Sequence, residues 1–229
     1  MISLPGSGRY DLAGILFWGT RRAQVESPAA ECRRREREAT VTSESIVWVV
    51  VGLFPVSEIA LGIFKRAGSR SASSEDRGSL RILWLAIMLG ILFAMASLRV
   101  SSASLRLSSA VVYALALVFL LSGLTIRWIA IVTLGRFFTV DVAIQKDHVV
   151  VQHGLYRLVR HPSYSGLLLA FFGLGLFFAN WLSLLGLLAP ITLAVINRIA
   201  KEERALLAAL GAPYAAYCAR TKRLLPGLF

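Results

Sequence analysis

YSGLLLAFFGLGLFFANWLSLLGLLAPITLAVINRI, residues 164–199, carries a single charge, Arg198, and that near its end. At about 1.5 Å per residue, one helix of this length would far overrun the ~30 Å hydrocarbon core of a bilayer. The stretch is long enough for two passes, and Asn180, preceded by a phenylalanine-rich run, marks a tight turn between them. The reading is a helical hairpin over 164–178 and 181–200 that enters and leaves the membrane by one face.

The rest of the chain agrees with a bilayer as solvent. Of the 229 residues 56% are hydrophobic and 17% charged, and the mean hydropathy is +0.67. Soluble domains are nearer half apolar and a quarter charged. The net charge of +12 would suggest nucleic acid in a soluble protein. Here the basic residues lie between apolar runs, where lysine and arginine meet anionic headgroups, and no nucleic-acid motif accompanies them. Cys32 and Cys218 form no CxxC pair, and His148, His153 and His161 are irregularly spaced, so no metal site is expected.

Walking outward from the hairpin gives the fold class, an all-α integral membrane bundle of about five transmembrane helices. The first span is 45–64, with Pro55 and Glu58 inside it; an acid at that depth should face the protein interior or a polar cavity. The second is 82–98 and the third 110–134, where Arg127 lies near one end and is read as reaching to the interface. The polar stretch 135–163 is too hydrophilic to cross lipid, and 201–229 reads as an amphipathic helix ending before Pro226-Gly227. Residues 1–44 form an extension, flexible or loosely helical, and 45–229 the membrane domain. Lys65, Arg66, Arg70, Arg77 and Arg81 in one loop, and Arg136, Lys146, Arg157 and Arg160 in another, place those loops and the C-terminus in the cytoplasm. An odd number of spans then puts the arginine-rich N-terminal tail on the other side, against the same rule.

Two clusters carry candidate chemistry. The first runs from Gly154 to Gly166 (GLYRLVRHPSYSG), where a polar loop meets a membrane helix. Pro162 suits a first helical turn, and exposed amides there could bind a carboxylate. Tyr156 and Tyr164 could equally be interfacial anchors. The second cluster joins Arg198, Glu202 and Glu203 to Gly211, Tyr214, Tyr217, Arg220 and the closing Arg223-Leu224-Leu225-Pro226. Arg198 and Glu202, four apart, share a helical face. They form either a surface ion pair or a pocket in which a carboxylate meets a cation and a guanidinium holds an anion. Spacing leaves both open.

The combination resembles the isoprenylcysteine carboxyl methyltransferase family. The resemblance is carried by Gly-x-Tyr-x-x-x-Arg-His-Pro-x-Tyr-x-Gly at 154–166, by Glu202-Glu203-x-x-Leu206, by Gly211-x-x-Tyr214-x-x-Tyr217-x-x-Arg220, by Leu225-Pro226, and by Leu134 to Thr139. It spans about 134–227 and implies a membrane-embedded methyltransferase whose cofactor, S-adenosylmethionine, lies between a cytosolic loop and the C-terminal helix. By position it implies that His148, Val149, Val150 and Val151 contact the cofactor mainly through their backbone. Tyr156, His161, Pro162, Ser163 and Tyr164 would line the cofactor, with Glu202 binding it through its carboxylate. Arg198 matches the substrate-binding arginine, so Arg198 and Glu202 are the residues expected to carry catalysis. Asp141 stands where relatives can carry a neutral amide, and Val149-Val150-Val151-Gln152-His153 departs from the commoner Leu-Val-Thr-Thr-like pattern. The implied partner is a lipophilic or prenylated carboxylate arriving through membrane lipid, with phospholipid or small-amine N-methylation and a non-catalytic role as the alternatives.

Overall fold

The computed structural model describes residues 27–35, 37–38, 74–138 and 149–227, together with isolated helical positions at Val41, Ser45, Val49 and Gly52. The expected first span, with Glu58, and the positions of Asp141 and His148 lie outside the described residues. The chain divides into two units, 1–38 and 39–229. In the first, 28–35 is helical and, apart from half-buried Ala30, exposed, with Arg35 and Glu31 paired at 2.8 Å and Arg34 and Glu38 at 3.1 Å.

In the second unit we label the helices α1 (Ser74–Ser97), α2 (Ser109–Leu134), α3 (Pro162–Phe177), α4 (Trp181–Leu210) and α5 (Ala212–Arg220). Short 3-10 turns lie at Ser101–Ala103, Gly135–Phe137 and Gly154–Arg157. Among the described residues three stretches are long and apolar enough to cross a membrane: Gly78–Ser97, Ser109–Phe137 and Trp181–Leu210. The protein is an all-helical integral membrane protein. α3, with 16 residues, reaches only about 24 Å and falls short of a full crossing.

The helix limits reflect local chemistry. Ser108 caps α2 by accepting the Val111 amide at 3.4 Å, and Gly135 ends the helix at φ 56°. Asn180 is the hairpin turn that the sequence suggested. Its side-chain oxygen accepts the Ser183 amide at 3.1 Å, while its amide nitrogen donates to the Ser97 carbonyl at 3.1 Å. That one residue thus caps α4 and ties it to the end of α1. Ala179 beside it adopts φ 49°, a conformation that costs an L-residue energy.

Two boundaries differ from expectation. α1 starts at Ser74, inside the expected polar loop, because Ser74-Glu75-Asp76 suits a helical first turn. No separate helix begins at Lys201: α4 continues through the charged residues to Leu210 and breaks at Gly211, whose φ of 58° favours glycine. The short α5 and a non-helical strap, 221–227, complete the described chain.

The helices pack as two pairs. α1 lies on α4 through Leu83, Ile87 and Ala94 against Leu187, Ile191, Ala194 and Val195, and α3 adds Leu167 and Phe171. The Ser183 hydroxyl donates to the Ala94 carbonyl at 2.8 Å. α2 and α3 approach much more closely. A Cβ on Gly166 would stand 2.6 Å from the Arg127 amide nitrogen and 2.6 Å from the Gly123 carbonyl oxygen. One on Gly173 would stand 2.5 Å from the Leu120 amide nitrogen. Lipid removes the hydrophobic drive between helices, and small residues that let backbones touch replace it with dispersion contact.

Candidate functional site

α4 carries the site's polar side chains away from the hairpin turn. Along its axis Arg198 lies about 26 Å, and Glu202 about 32 Å, from Trp181. The helix therefore delivers them roughly one hydrocarbon thickness from the turn, where the 149–161 segment and the C-terminal strap meet. A cavity opens there. It is lined by Leu80 of α1, by Arg127 and Leu134 of α2, by Phe137, Phe138, Val149, Val150, Val151, Tyr156, Arg160 and His161, by Ser163 and Tyr164 of α3, by Arg198, Glu202, Leu206 and Leu210 of α4, and by Tyr214 and Tyr217 of α5.

Arg198 is buried, 3% exposed. Its Nε donates to the Tyr164 hydroxyl at 2.7 Å and its Nη1 to the Ser79 hydroxyl at 3.1 Å. It is thus not the solvated headgroup arginine of a surface ion pair. Glu202 lies one turn further along, and its Oε2 is buried without a hydrogen-bond donor, with His161 Nδ1 at 3.9 Å. A buried carboxylate oxygen left unsatisfied is costly, so this atom is suited to a donor or cation brought by a ligand.

Glu203, the next residue, is fully engaged. Its Oε1 accepts from Arg160 Nε at 2.8 Å and lies 3.3 Å from His161 Nε2; its Oε2 accepts from Arg223 Nε at 2.9 Å. Arg160 also donates to the Cys218 and Thr221 carbonyls. The Arg160 and His161 amides donate to the Lys222 and Arg223 carbonyls at 2.8 and 3.0 Å, so strap and loop pair along their backbones. Donating to the Glu203 carboxylate raises the pKa of the Arg223 guanidinium and keeps it charged. The aromatic wall is locked too: the Tyr217 hydroxyl donates to the Tyr156 carbonyl at 2.6 Å, and the Tyr156 hydroxyl to the Ala130 carbonyl at 3.3 Å. Burial pushes the Tyr156 and Tyr214 phenols up and that of Tyr217 to about 12, so all three stay protonated donors near neutral pH.

Of the residues singled out from sequence, Val149, Val150, Val151, Tyr156, His161, Ser163, Tyr164, Arg198 and Glu202 line one cavity. Pro162 does not. It is fully buried as the first residue of α3, where its ring sets the helix start rather than the cavity wall. The amides after it are partly committed, those of Tyr164 and Ser165 returning to the His161 carbonyl at 3.0 and 3.1 Å.

Arg127 requires correction. It is 8% exposed, lines the cavity and donates to the Ser163 carbonyl at 3.2 Å, whereas a snorkelling arginine would reach headgroups. A charge within an apolar run was the signal available for it. Ser79 and the Arg160–Glu203–Arg223 network had no local signal, since their partners lie far off in the chain. Among the described residues no group of histidine, cysteine and carboxylates could hold a metal ion.

The profile of the isoprenylcysteine carboxyl methyltransferase (ICMT) family matches residues 114–208. The protein-S-isoprenylcysteine O-methyltransferase of Schizosaccharomyces pombe is 31% identical over 195 residues, 75% of this chain and 83% of that protein. A probable protein-S-isoprenylcysteine O-methyltransferase of Oryza sativa subsp. indica is 35% identical over 112 residues, 48% of this chain; the match spans 59% of the rice protein's length. Protein-S-isoprenylcysteine O-methyltransferase A of Arabidopsis thaliana is 35% identical over 103 residues, spanning 52% of its length. A solved structure of the eukaryotic intramembrane Ras methyltransferase ICMT superposes with a TM-score of 0.56 at 22% identity, covering 83% of this chain and 68% of that one; it shares the fold.

Proposed function

The chain belongs to the isoprenylcysteine carboxyl methyltransferase family, and from that premise we propose that it transfers a methyl group from S-adenosylmethionine to the carboxylate of an isoprenylcysteine-like lipophilic acceptor, giving a methyl ester. One observation carries the reading: a buried guanidinium, Arg198, and a buried carboxylate oxygen without a donor, Glu202 Oε2, face the same cavity from one helix. An acid acceptor and a cationic donor need that pair of opposite charges.

The residues fit such a donor. Glu202 Oε2 offers an unsatisfied acceptor to an ammonium or sulfonium, and Tyr156, Tyr214 and Tyr217 give an aromatic, hydrogen-bonded wall on the loop side. When bound, S-adenosylmethionine supplies a methyl carbon already activated by its positive sulfur. Arg198 holds the acceptor carboxylate, its own direction fixed by Tyr164 and Ser79. No general base is required, because a carboxylate is ionised at neutral pH. His161 lies between Glu202 and Glu203 and shapes the pocket rather than taking a proton. Leu80, Leu206 and Leu210 exclude water, so the chain contributes alignment and a dry cavity. Val149 to Val151 contribute backbone contacts to the donor. The basic loops orient this end of the bundle to the cytoplasm, from which a polar donor can enter while the acceptor arrives through lipid.

The test is an assay of the full chain in lipid with methyl-labelled donor and a prenylated cysteine carrying a free carboxylate. Label released as methanol by mild base is the expected product. Label retained in a base-stable methylamine, with phospholipid as acceptor, would replace the ester reading. Donor bound without any transfer would remove the enzyme reading.

A further inference from the structure

His161 stands between two acids of α4 and meets them differently. Its Nε2 lies 3.3 Å from Glu203 Oε1, within hydrogen-bond reach, and its Nδ1 lies 3.9 Å from Glu202 Oε2, beyond that reach. His161 and Glu202 line the cavity, whereas Glu203 turns to the strap. We propose that Glu203 is a positioning residue: it keeps the His161 proton on Nε2, so that a bare Nδ1 and Glu202 Oε2 together form a paired acceptor for the ammonium of the donor's amino-acid tail. The ammonium comes with the donor proposed above, whereas the hold of Glu203 on His161 does not depend on it.

The place of the proton follows from what each partner can do. Glu203 forms ion pairs with Arg160 at 2.8 Å and Arg223 at 2.9 Å, and an ionised carboxylate only accepts. Its contact with Nε2 is therefore a hydrogen bond only if the imidazole donates, and turning the ring over would put a carbon there and lose the bond. On the other side, a protonated Nδ1 would close on a carboxylate to about 2.7–2.9 Å. The gap is 3.9 Å, and Glu202 Oε2 has no hydrogen-bond donor among the described residues, so Nδ1 is left as a lone pair. The bond made by one ring nitrogen thus sets the state of the other.

Two acceptors facing one space are unfavourable for the chain alone, because a buried oxygen without a donor is costly. An ammonium carries three donors on one positive charge and satisfies both at once. The rest of His161 is already fixed. Its amide donates to the Arg223 carbonyl at 3.0 Å, and its carbonyl accepts the Tyr164 and Ser165 amides at 3.0 and 3.1 Å. Its ring packs on that of Tyr164, with centroids 5.8 Å apart. What Glu203 adds is the choice of nitrogen. With the proton on Nδ1 instead, His161 would itself donate to Glu202 and compete with the ligand.

Nuclear magnetic resonance reads the tautomer directly. The chain carries three histidines. A parent with His148→Gln and His153→Gln, full length in lipid nanodiscs and labelled with nitrogen-15 histidine, keeps His161 as its one imidazole. Its spectrum should show the proton on Nε2 alone. Glu203→Gln should move some or all of it to Nδ1, because an amide can donate to Nε2 as well as accept from it. Arg223→Gln, which loosens the strap but leaves Glu203 Oε1 to the ring, should not. S-adenosylhomocysteine should bind Glu203→Gln roughly tenfold more weakly than the parent, the order expected for a charged hydrogen bond. Its deamino analogue, which keeps the carboxylate and lacks the ammonium, should stay within about twofold. A proton on Nδ1 in the parent would overturn the assignment, and that spectrum decides even if Glu203→Gln does not fold. So would an unchanged spectrum in Glu203→Gln, or equal losses for the two ligands. A parent with the expected tautomer that binds neither ligand would overturn the donor reading and leave the hold of Glu203 on His161 standing.

Discussion

The α2–α3 seam and the Glu203 cluster both hold the cavity open, yet they do so by different physics. At the seam, Gly123, Gly166 and Gly173 leave backbone against backbone, and nothing there is charged except Arg127 at its end. At the cluster, one carboxylate gathers Arg160, His161 and Arg223 from segments far apart in the chain. The seam is steric and admits no added atom, whereas the cluster is electrostatic and depends on partners remaining charged. Membrane depth explains the division: dispersion is what lipid leaves to helix pairs, while ion pairs are best kept at the watered end.

The largest effect should come from breaking the seam. Gly166→Leu places its first side-chain carbon 2.6 Å from two backbone atoms that have no rotamer to yield. We expect more than about 4 kcal/mol of destabilisation and loss of monodisperse protein in detergent. A variant as heat-stable as the parent would mean that the two backbones do not touch.

Breaking the cluster should cost less. Glu203→Ala strands Arg160 and Arg223 in a half-buried setting, for about 2–3 kcal/mol, discounted from the buried-pair range because Arg223 is 39% exposed. Glu203→Gln should retain more than half of that stability, read by thermal unfolding. Equal losses in the two variants would show that shape, and not charge, holds the strap.

Smaller again is Arg198→Lys, which keeps the charge but cannot span Tyr164 and Ser79 at once. It should raise the acceptor KM by about tenfold while donor binding is unchanged. A shift confined to donor affinity would move Arg198 out of the acceptor's place.

The smallest concerns pH. Burial holds the Tyr217 phenol near 12 in the fold, against an ordinary value of 10.0. Below pH 10 the phenol is protonated whether folded or not, so it adds no pH dependence. Between about 10 and 12 the unfolded chain releases a proton that the folded one keeps, and stability should fall as pH rises. Tyr217→Phe should flatten that decline, although it also removes the hydrogen bond to Tyr156.

The two regions were also unequally legible. The hairpin could be read because Asn180 breaks an apolar run too long for one crossing, and α2 because its apolar run stops where the polar stretch at Gly135 begins; the caps at Ser108 and Asn180 appear only in the structure. The continuation of α4 to Leu210 could not: hydropathy drops at Lys201, but a helix ends where its backbone bonds end, at Gly211. The motifs gave two clusters, the family resemblance implied that Tyr156, His161, Tyr164, Arg198 and Glu202 share one site, and the fold brings them to one cavity. Ser79 stayed invisible because its role depends on a helix 119 positions away in the chain. Arg127 was misread because an arginine near a span's end looks the same from sequence whether it turns outward or inward.

Glu202 and Glu203 are adjacent, and adjacent residues on an α-helix point about 100° apart. That angle sends one acid into the cavity and the other to the strap. Inserting one alanine after Lys201 would barely alter charge, span length or apolar content. It would nevertheless set a methyl group where the cavity has its acid and put Glu202 in the anchor's place. What α4 must keep is its angular phase, a quantity that no hydropathy plot records.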